Sequence, residues 1–355
     1  MTLCRWISAL TLAVGGLAHG SAWPCAFHNY TPAPSVVERL LESPSIVLAR
    51  ADPEDPFRYR VTRMLRDGPQ TPEIPYLVDT ATRSWLALSA QDQVLFAYDD
   101  LSGKWLKLSY IDRATAPIFD SIFASLDDWA VQDGTARYAL FGAFLNDPDR
   151  RVRRLALNEL DQAPYDVLRA LDLRPDADLL LRDLDLPEEA NLRAIRILLL
   201  GFDDGARSGA LLRQGFEVEL SAPLRPLLGA FATAAIERDG AAALTPVRRA
   251  LAPARNLDTD AKTSLIEAIA IQHSYGPEAT RQAIAAMLGT MLREDPGLAV
   301  QVADRFESYG NWALADLMRT LIAERRIKSA SQMLTVARYV AIAREADELQ
   351  GNSLN

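Results

Sequence analysis

The sequence predicts an α+β chain of more than one domain, a small β-barrel module followed by a long stack of paired α-helices. Three observations predict it. Short apolar runs with period-two alternation fill residues 45–111, and amphipathic helical periodicity takes over from 116 onward. Glycines that close long helices then recur at Gly201, Gly240, Gly276 and Gly310, spaced by 39, 36 and 34 residues.

Taken in order, the first segment carries one charge, Arg5, before an apolar run over 7–18 that is shorter than the roughly 20 residues a bilayer span needs. Gly20-Ser21-Ala22 follows, with small residues three and one positions before a break after Ala22. This is the pattern of a Sec-type secretory signal over 1–22, so the mature chain is expected in the periplasm or outside the cell. Cleavage removes Cys4 and leaves Cys25 as the one remaining cysteine, which excludes a disulfide inside the mature monomer.

The expected β module covers 23–115. After three prolines in 23–34, SVVERLL (35–41) reads as a short helix ending before Pro44. SIVLARA (45–51) is β-branched and apolar, and Phe57, Tyr59 and Val61 alternate with Arg58, Arg60 and Thr62 as one buried face requires. Runs at 74–78, 84–88, 94–98 and 105–111 extend the series to five or six strands, with Ser102-Gly103 closing a hairpin between the last two. So many short strands in so few residues imply a small barrel or sandwich.

Residues 116–133 read as a connecting helix and 134–350 as helix pairs. Ile284, Met287, Leu288, Met291 and Leu292, and again Leu314, Leu317, Met318, Leu321 and Ile322, lie at i, i+3, i+4, i+7 and i+8. Each helix therefore has one apolar face that only a neighbour can cover, the condition under which repeats stack into a solenoid.

Two resemblances attach to these residues. LNDPDRRVRRLALNEL, with Asp147-Pro148 at a turn followed by Val152-Arg153, Ala156 and Leu160, resembles the second-helix pattern of the HEAT repeat family, and the likeness extends over about 220 residues. It implies an α-solenoid in which Arg153 bonds to the turn aspartate of its own or a neighbouring repeat. The stretch from Cys25 to Ile111, with an early cysteine, a short helix, SIVLARA, FRYRVTRMLRDG, DQVLFAYDD and GKWLKLSYID, resembles the netrin-like, tissue-inhibitor-of-metalloproteinase type of OB barrel in bacterial exported proteins. In the inhibitors an N-terminal cysteine chelates the protease metal through its free amine, whereas Cys25 would stand third, behind Trp23 and Pro24.

Composition and motifs limit the chemistry. A net charge of -9 and an acidic pI speak against a nucleic-acid footprint. Cys25 and His28 put two potential metal ligands within one turn, short of the four a structural zinc takes. The other mature histidine, His273, falls on an apolar helical stripe and reads as a core-edge residue. Arg150, Arg151, Arg153 and Arg154 are the densest positive cluster, and Arg150, Arg151 and Arg154 are its candidate anion-contacting members. The acidic run from Asp172 to Glu189 lacks calcium-loop spacing. Gly205 to Gly209 has its serine, Ser208, in the wrong place for a nucleophile elbow.

These readings lead to the expectation of a non-catalytic exported binding or scaffold protein without cofactor or metal. It would offer a solenoid surface to a protein or peptide partner in the cell envelope, and would have no nucleic-acid partner and no transmembrane segment. The alternative is an enzyme or inhibitor activity in the β module involving Cys25 and His28.

Overall fold

A computed structural model describes residues 32–68, 73–131, 134–255 and 257–352. The signal-like segment 1–22, Cys25 and His28 lie outside the described residues.

The chain enters through α1 (Val36–Glu42), which begins with a reciprocal cap. Ser35 Oγ accepts from the Glu38 N–H at 3.1 Å, and the Glu38 carboxylate accepts from the Ser35 N–H at 2.8 Å. Four strands follow, β1 (Ile46–Ala51), β2 (Tyr59–Arg66), β3 (Gln93–Asp99) and β4 (Lys104–Ile111), forming an antiparallel sheet of order β2-β1-β3-β4. The sheet is open, with β2 and β4 as its edges, so the expected barrel does not close among the described residues.

Two expected strands are absent. Residues 84–88 belong to α2 (Thr80–Leu88), because Asp79 caps that segment by accepting from the Thr82 N–H at 2.8 Å. The buried side chains Thr82 and Leu86 then fall four apart, on one helical face. Residues 74–78 make only an isolated bridge, Arg58 with Leu77.

The sheet is buried on both faces. Ile46, Leu48, Leu95, Ala97 and Ile111 join the main core, while Val47, Ala49, Val94, Phe96 and Trp105 form a second core with Tyr59 and with Leu86 of α2. Opposite the Leu95–Phe96 step β4 carries a bulge, since Ser109 pairs with Leu95 but Lys107 with Phe96, leaving Leu108 between them. Leu108 packs toward the main core and Tyr110 toward the second.

Helices make up the rest: α3 (Ala116–Trp129), α4 (Thr135–Ala143), α5 (Arg150–Leu160), α6 (Tyr165–Ala170), α7 (Ala177–Arg182), α8 (Arg193–Leu200), α9 (Ala206–Ser221), α10 (Leu228–Asp239), α11 (Leu244–Leu251), α12 (Thr259–Tyr275), α13 (Glu278–Glu294), α14 (Ala299–Ser308), α15 (Ala315–Ala323) and α16 (Ala330–Asn352). The spaced glycines end α8, α10, α12 and α14, and these helices lie side by side in that order, with α16 beside α14. At Gly310 the backbone takes φ 59°, and the Asn311 N–H reaches back to the Phe306 carbonyl at 2.9 Å, the glycine-dependent way to stop a helix. Gly201 serves close approach instead, since a Cβ there would stand 2.9 Å from Ala234 Cα of α10.

Three helices of this row have no exposed side. Ala194 to Leu200, Leu228 to Ile236 and Leu265 to His273 are buried without interruption. A helix buried all round has neighbours on both sides. Their neighbours include α9, α11 and α13, and also α5, which meets α8, and α6, which meets α12. Polar bonds fasten α6 in place. Tyr165 donates to Glu237 of α10, Arg169 Nε donates to the same carboxylate at 2.9 Å, and Arg169 Nη1 donates to the Tyr275 carbonyl at 2.5 Å.

The sheet and the helices share one core that runs from Val37 to Ala343. The seam between them is polar as well as apolar. Arg137 of α4 donates to the buried Glu159 of α5 and, at 3.3 Å, to Ser35 Oγ, while Gln162 Nε2 donates to the Ala33 carbonyl at 2.9 Å.

His273 sits at the core edge against the Phe306 ring, its Nδ1 2.7 Å from Asn311 Nδ2. Burial, then the charge of Arg281, pushes its pKa below the ordinary 6.5. Above that value the ring is neutral folded and unfolded alike; below it the unfolded chain takes up the proton first, so stability falls. Wild type is therefore expected to lose stability against His273→Gln as pH drops below about 6.5, with no difference in pH dependence above it. Buried Glu159 and Glu267, both pushed up, have the opposite sign in both proteins and cancel in the comparison. Urea titrations of the two proteins at pH 7.5 and 5.5 with parallel changes would refute this.

Candidate binding cleft

Helix α5 carries the arginine cluster, and the structure separates its members by one-turn geometry. The helix starts where Asp149 accepts from the Arg151 N–H at 2.8 Å, and its buried stripe is Val152, Ala156, Leu157 and Leu160. Arg153 points inward with that stripe. It donates to the Asp147 and Pro148 carbonyls at 2.8 and 3.0 Å and pairs with buried Asp183 at 2.9 Å. The preceding turn is held through its backbone carbonyls, and the carboxylate partner comes from the end of α7.

Asp183 belongs to a larger buried set. Arg196 of α8 pairs with Glu189 and lies 4.0 Å from Asp183, and Arg196 and Glu189 are each 1% exposed. Desolvation pushes the Arg196 guanidinium down despite these anions. Arg150 lies on the outer side, pairing with Glu188 at 3.3 Å and reaching Glu189 at 3.8 Å. The acidic run thus supplies counter-ions and caps: Asp176 caps α7 and Asp178 pairs with Arg207. Ser208 is in the first turn of α9, donating to Asp203 at 2.5 Å.

Arg151 and Arg154 face a different neighbour. Together with Leu155 and Asn158 of α5 they form one wall of a cleft of about 610 Å³, within the range of small-ligand and peptide-side-chain sites. Trp85, Leu88 and Ser89 at the end of α2 form another wall, Leu108, Ser109 and Tyr110 of β4 the floor, and Val36, Asp92, Asp112 and Thr115 the corners. Trp85 and Leu88 project three residues apart on the outer face of α2, 52% and 86% exposed, and Trp85 meets the Tyr110 ring edge-on at 5.4 Å.

The charges in the cleft are unequally matched. Arg151 pairs with Asp149 at 2.8 Å and with Asp112, and both carboxyls are held below the ordinary range. For Asp149 the Arg151 hydrogen bond is the main cause; for Asp112 burial opposes the shift, and the bonds from Arg151 and the Thr115 N–H outweigh it. Asp92 accepts from Ser89 Oγ and from Tyr110 OH, each at 2.6 Å. Burial and that carboxylate push the Tyr110 hydroxyl well above its ordinary value, so it stays a neutral donor. Arg154 is exposed, and its guanidinium makes no hydrogen bond or close ion pair with a described residue, although, behind that carboxyl's own backbone hydrogen bond and Arg150, its charge helps hold the Glu188 carboxyl below the ordinary range. The cleft therefore offers one cation without a hydrogen-bonded partner among the described residues, together with an apolar wall, while its tyrosine and buried carboxylate already satisfy each other. Such a surface has the chemistry to hold an anionic, partly apolar group.

Of the residues singled out from sequence, Arg151 and Arg154 are brought into this cleft and Arg150 is not. Trp85, Leu88, Asp92 and Tyr110 were not singled out. The available signal was two large apolar residues, three apart, on a helix whose other face is already buried. Among the described residues no cluster of three or more histidine, cysteine or acidic side chains is placed to hold a metal ion, and no helix is long and apolar enough to cross a membrane. No family model matches the chain, and no curated protein or solved structure matches it either.

Proposed function

We propose that this chain is an exported, non-catalytic binding protein that captures a peptide or protein partner in the cell envelope, with the α2–β4–α5 cleft as its recognition surface. The observation that carries the reading is Arg154, exposed and without a hydrogen-bonded partner among the described residues, in one cleft with the exposed Trp85 and Leu88. In this reading the helical part is a HEAT-like solenoid, supported by the side-by-side row α8, α10, α12, α14 and α16. Its role is to hold α5 rigidly against the sheet, because α5 and α6 already cover α8 and α12 where a concave binding face would lie.

Leu88→Asp with Arg154→Glu changes two exposed side chains and is expected to leave stability within about 0.5 kcal/mol. Capture of partners from envelope extract by the full mature chain should then fall more than about tenfold, since an apolar contact and an attractive charge are both inverted. Undiminished capture of the same partners would sink the assignment of the cleft. Export rests on the apolar run 7–18 and on Gly20-Ser21-Ala22. The expected result is an intact mass, from the envelope fraction, of a chain beginning at Trp23; a cytoplasmic species retaining Met1 would refute it.

A further inference from the structure

The cleft is lined from both sides of the sheet. Trp85 and Tyr110 lie with the second core, whereas Val36, Leu108 and Leu155 pack against the main core. The lining can take in both faces because β4 is an edge strand, and the cleft wraps around its C-terminal half. An edge strand leaves a row of backbone N–H and C=O groups without strand partners. On β4 the Trp105 carbonyl accepts from Tyr76 OH and the Tyr110 carbonyl accepts weakly from Ser109 Oγ at 3.3 Å, and an added strand would compete only with the second. Along β4 the usual protection is uneven: Lys104 and Lys107 guard the first half, while Leu108 to Ile111 carries no charge.

We infer that an extended peptide adds to the free edge of β4 as a fifth strand, placing an apolar side chain over Trp85 and Leu88 and an acidic side chain on Arg154. This rests on the binding reading of the cleft and names the partner's chemistry. Main-chain hydrogen bonds supply the attachment and the two walls supply the selectivity, as in strand-addition recognition generally. The geometry also sets a spacing rule. Successive side chains of a strand point to opposite faces. Trp85 and Arg154 stand on opposite sides of the sheet, so the apolar and acidic residues must be an odd number of positions apart. A second copy of this chain is a poor occupant, since its β4, KWLKLSYI, carries no acidic side chain to set on Arg154.

The test uses the full mature chain, immobilised, and pools of synthetic nonapeptides of otherwise random sequence. The pools fix Phe and Asp at spacing one, Phe and Asp at spacing two, or Phe and Lys at spacing one. The first pool is expected to be retained about tenfold better than either of the others, a charge-assisted bond to arginine gained or lost. Arg154→Ala should erase the preference for Asp over Lys, Trp85→Ala should weaken retention of all pools, and N-methylation of alternate backbone nitrogens in a retained peptide should abolish binding. Retention indifferent to N-methylation but lost in Trp85→Ala would overturn strand addition and leave the cleft reading standing. Retention indifferent to Trp85 and Arg154, or no retention of any pool, would overturn both. A dimer in solution that dissociates on Trp85→Ala would assign the edge to a second copy and overturn the proposal.

Discussion

Arg196→Ala is expected to destabilise the protein by about 3–5 kcal/mol, the cost of leaving a buried charge without its partner. Arg196 bridges Glu189 and Asp183 from α8, and neither carboxylate has access to water that would replace it. Asp183 retains Arg153, but Glu189 keeps only the 3.8 Å approach of Arg150. The network is itself incompletely satisfied, since Arg196 Nε and Nη1 have no hydrogen-bond partner among the described residues. An apolar replacement of both partners therefore loses little. Arg196→Met with Glu189→Leu should recover more than half of the loss caused by Arg196→Met alone, a coupling that denaturant unfolding of wild type, the two single variants and this double variant measures directly. A single variant within about 1 kcal/mol of wild type would show that the pair is not under strong mutual dependence. Arg196 also ties α8 to α5 through Asp183 and its partner Arg153, so the single variant should loosen α5 as well.

Ala156→Asp is expected to have a comparable effect by a different route. Ala156 is fully buried on the α5 stripe between Val152 and Leu160, and the inward guanidinium one turn earlier, Arg153, is already engaged by Asp183 and by the Asp147 and Pro148 carbonyls. A carboxylate there either stays charged without a partner or takes up a proton, and both cost several kcal/mol. We expect a loss of about 3–5 kcal/mol, against about 1 kcal/mol for Ala156→Gly, which tests helix propensity alone. Thermal unfolding of the aspartate variant that matches wild type would place residue 156 at the surface and dissolve the assignment of the α5 stripe.

What could be read from the chain alone depended on whether a pattern had one physical solution. Strands β1, β3 and β4 were legible because β-branched and aromatic runs bounded by turn residues fit little else, and Ser102-Gly103 marks the hairpin, where Gly103 takes φ 67°. The helical rows were legible because an apolar stripe at i, i+3, i+4 and i+7 persists over many turns. Residues 84–88 were misread: SWLAL satisfies both periods, and the Asp79 cap that decides for helix lies outside the run. Arg153 could be assigned an inward structural role from its place after Asp147-Pro148. Its acidic partner could not, since Asp183 is thirty residues away and one of many acids.

The sequence by itself determined most element types, the acidic character, the signal-like beginning and the glycine positions where helices stop, because these depend on local backbone chemistry and periodicity. Only the tertiary structure decided which side chains share a space. It placed the sheet and the helices around one core, closed α5 and α6 over α8 and α12, and matched every arginine of the cluster except Arg154 to an acid or a carbonyl. The cleft belongs to that second class, for Trp85, Tyr110 and Arg154 come from three elements spread over seventy residues. Their meeting follows from how an open sheet edge, a capped helix and a buried ion cluster pack, and no local pattern encodes it.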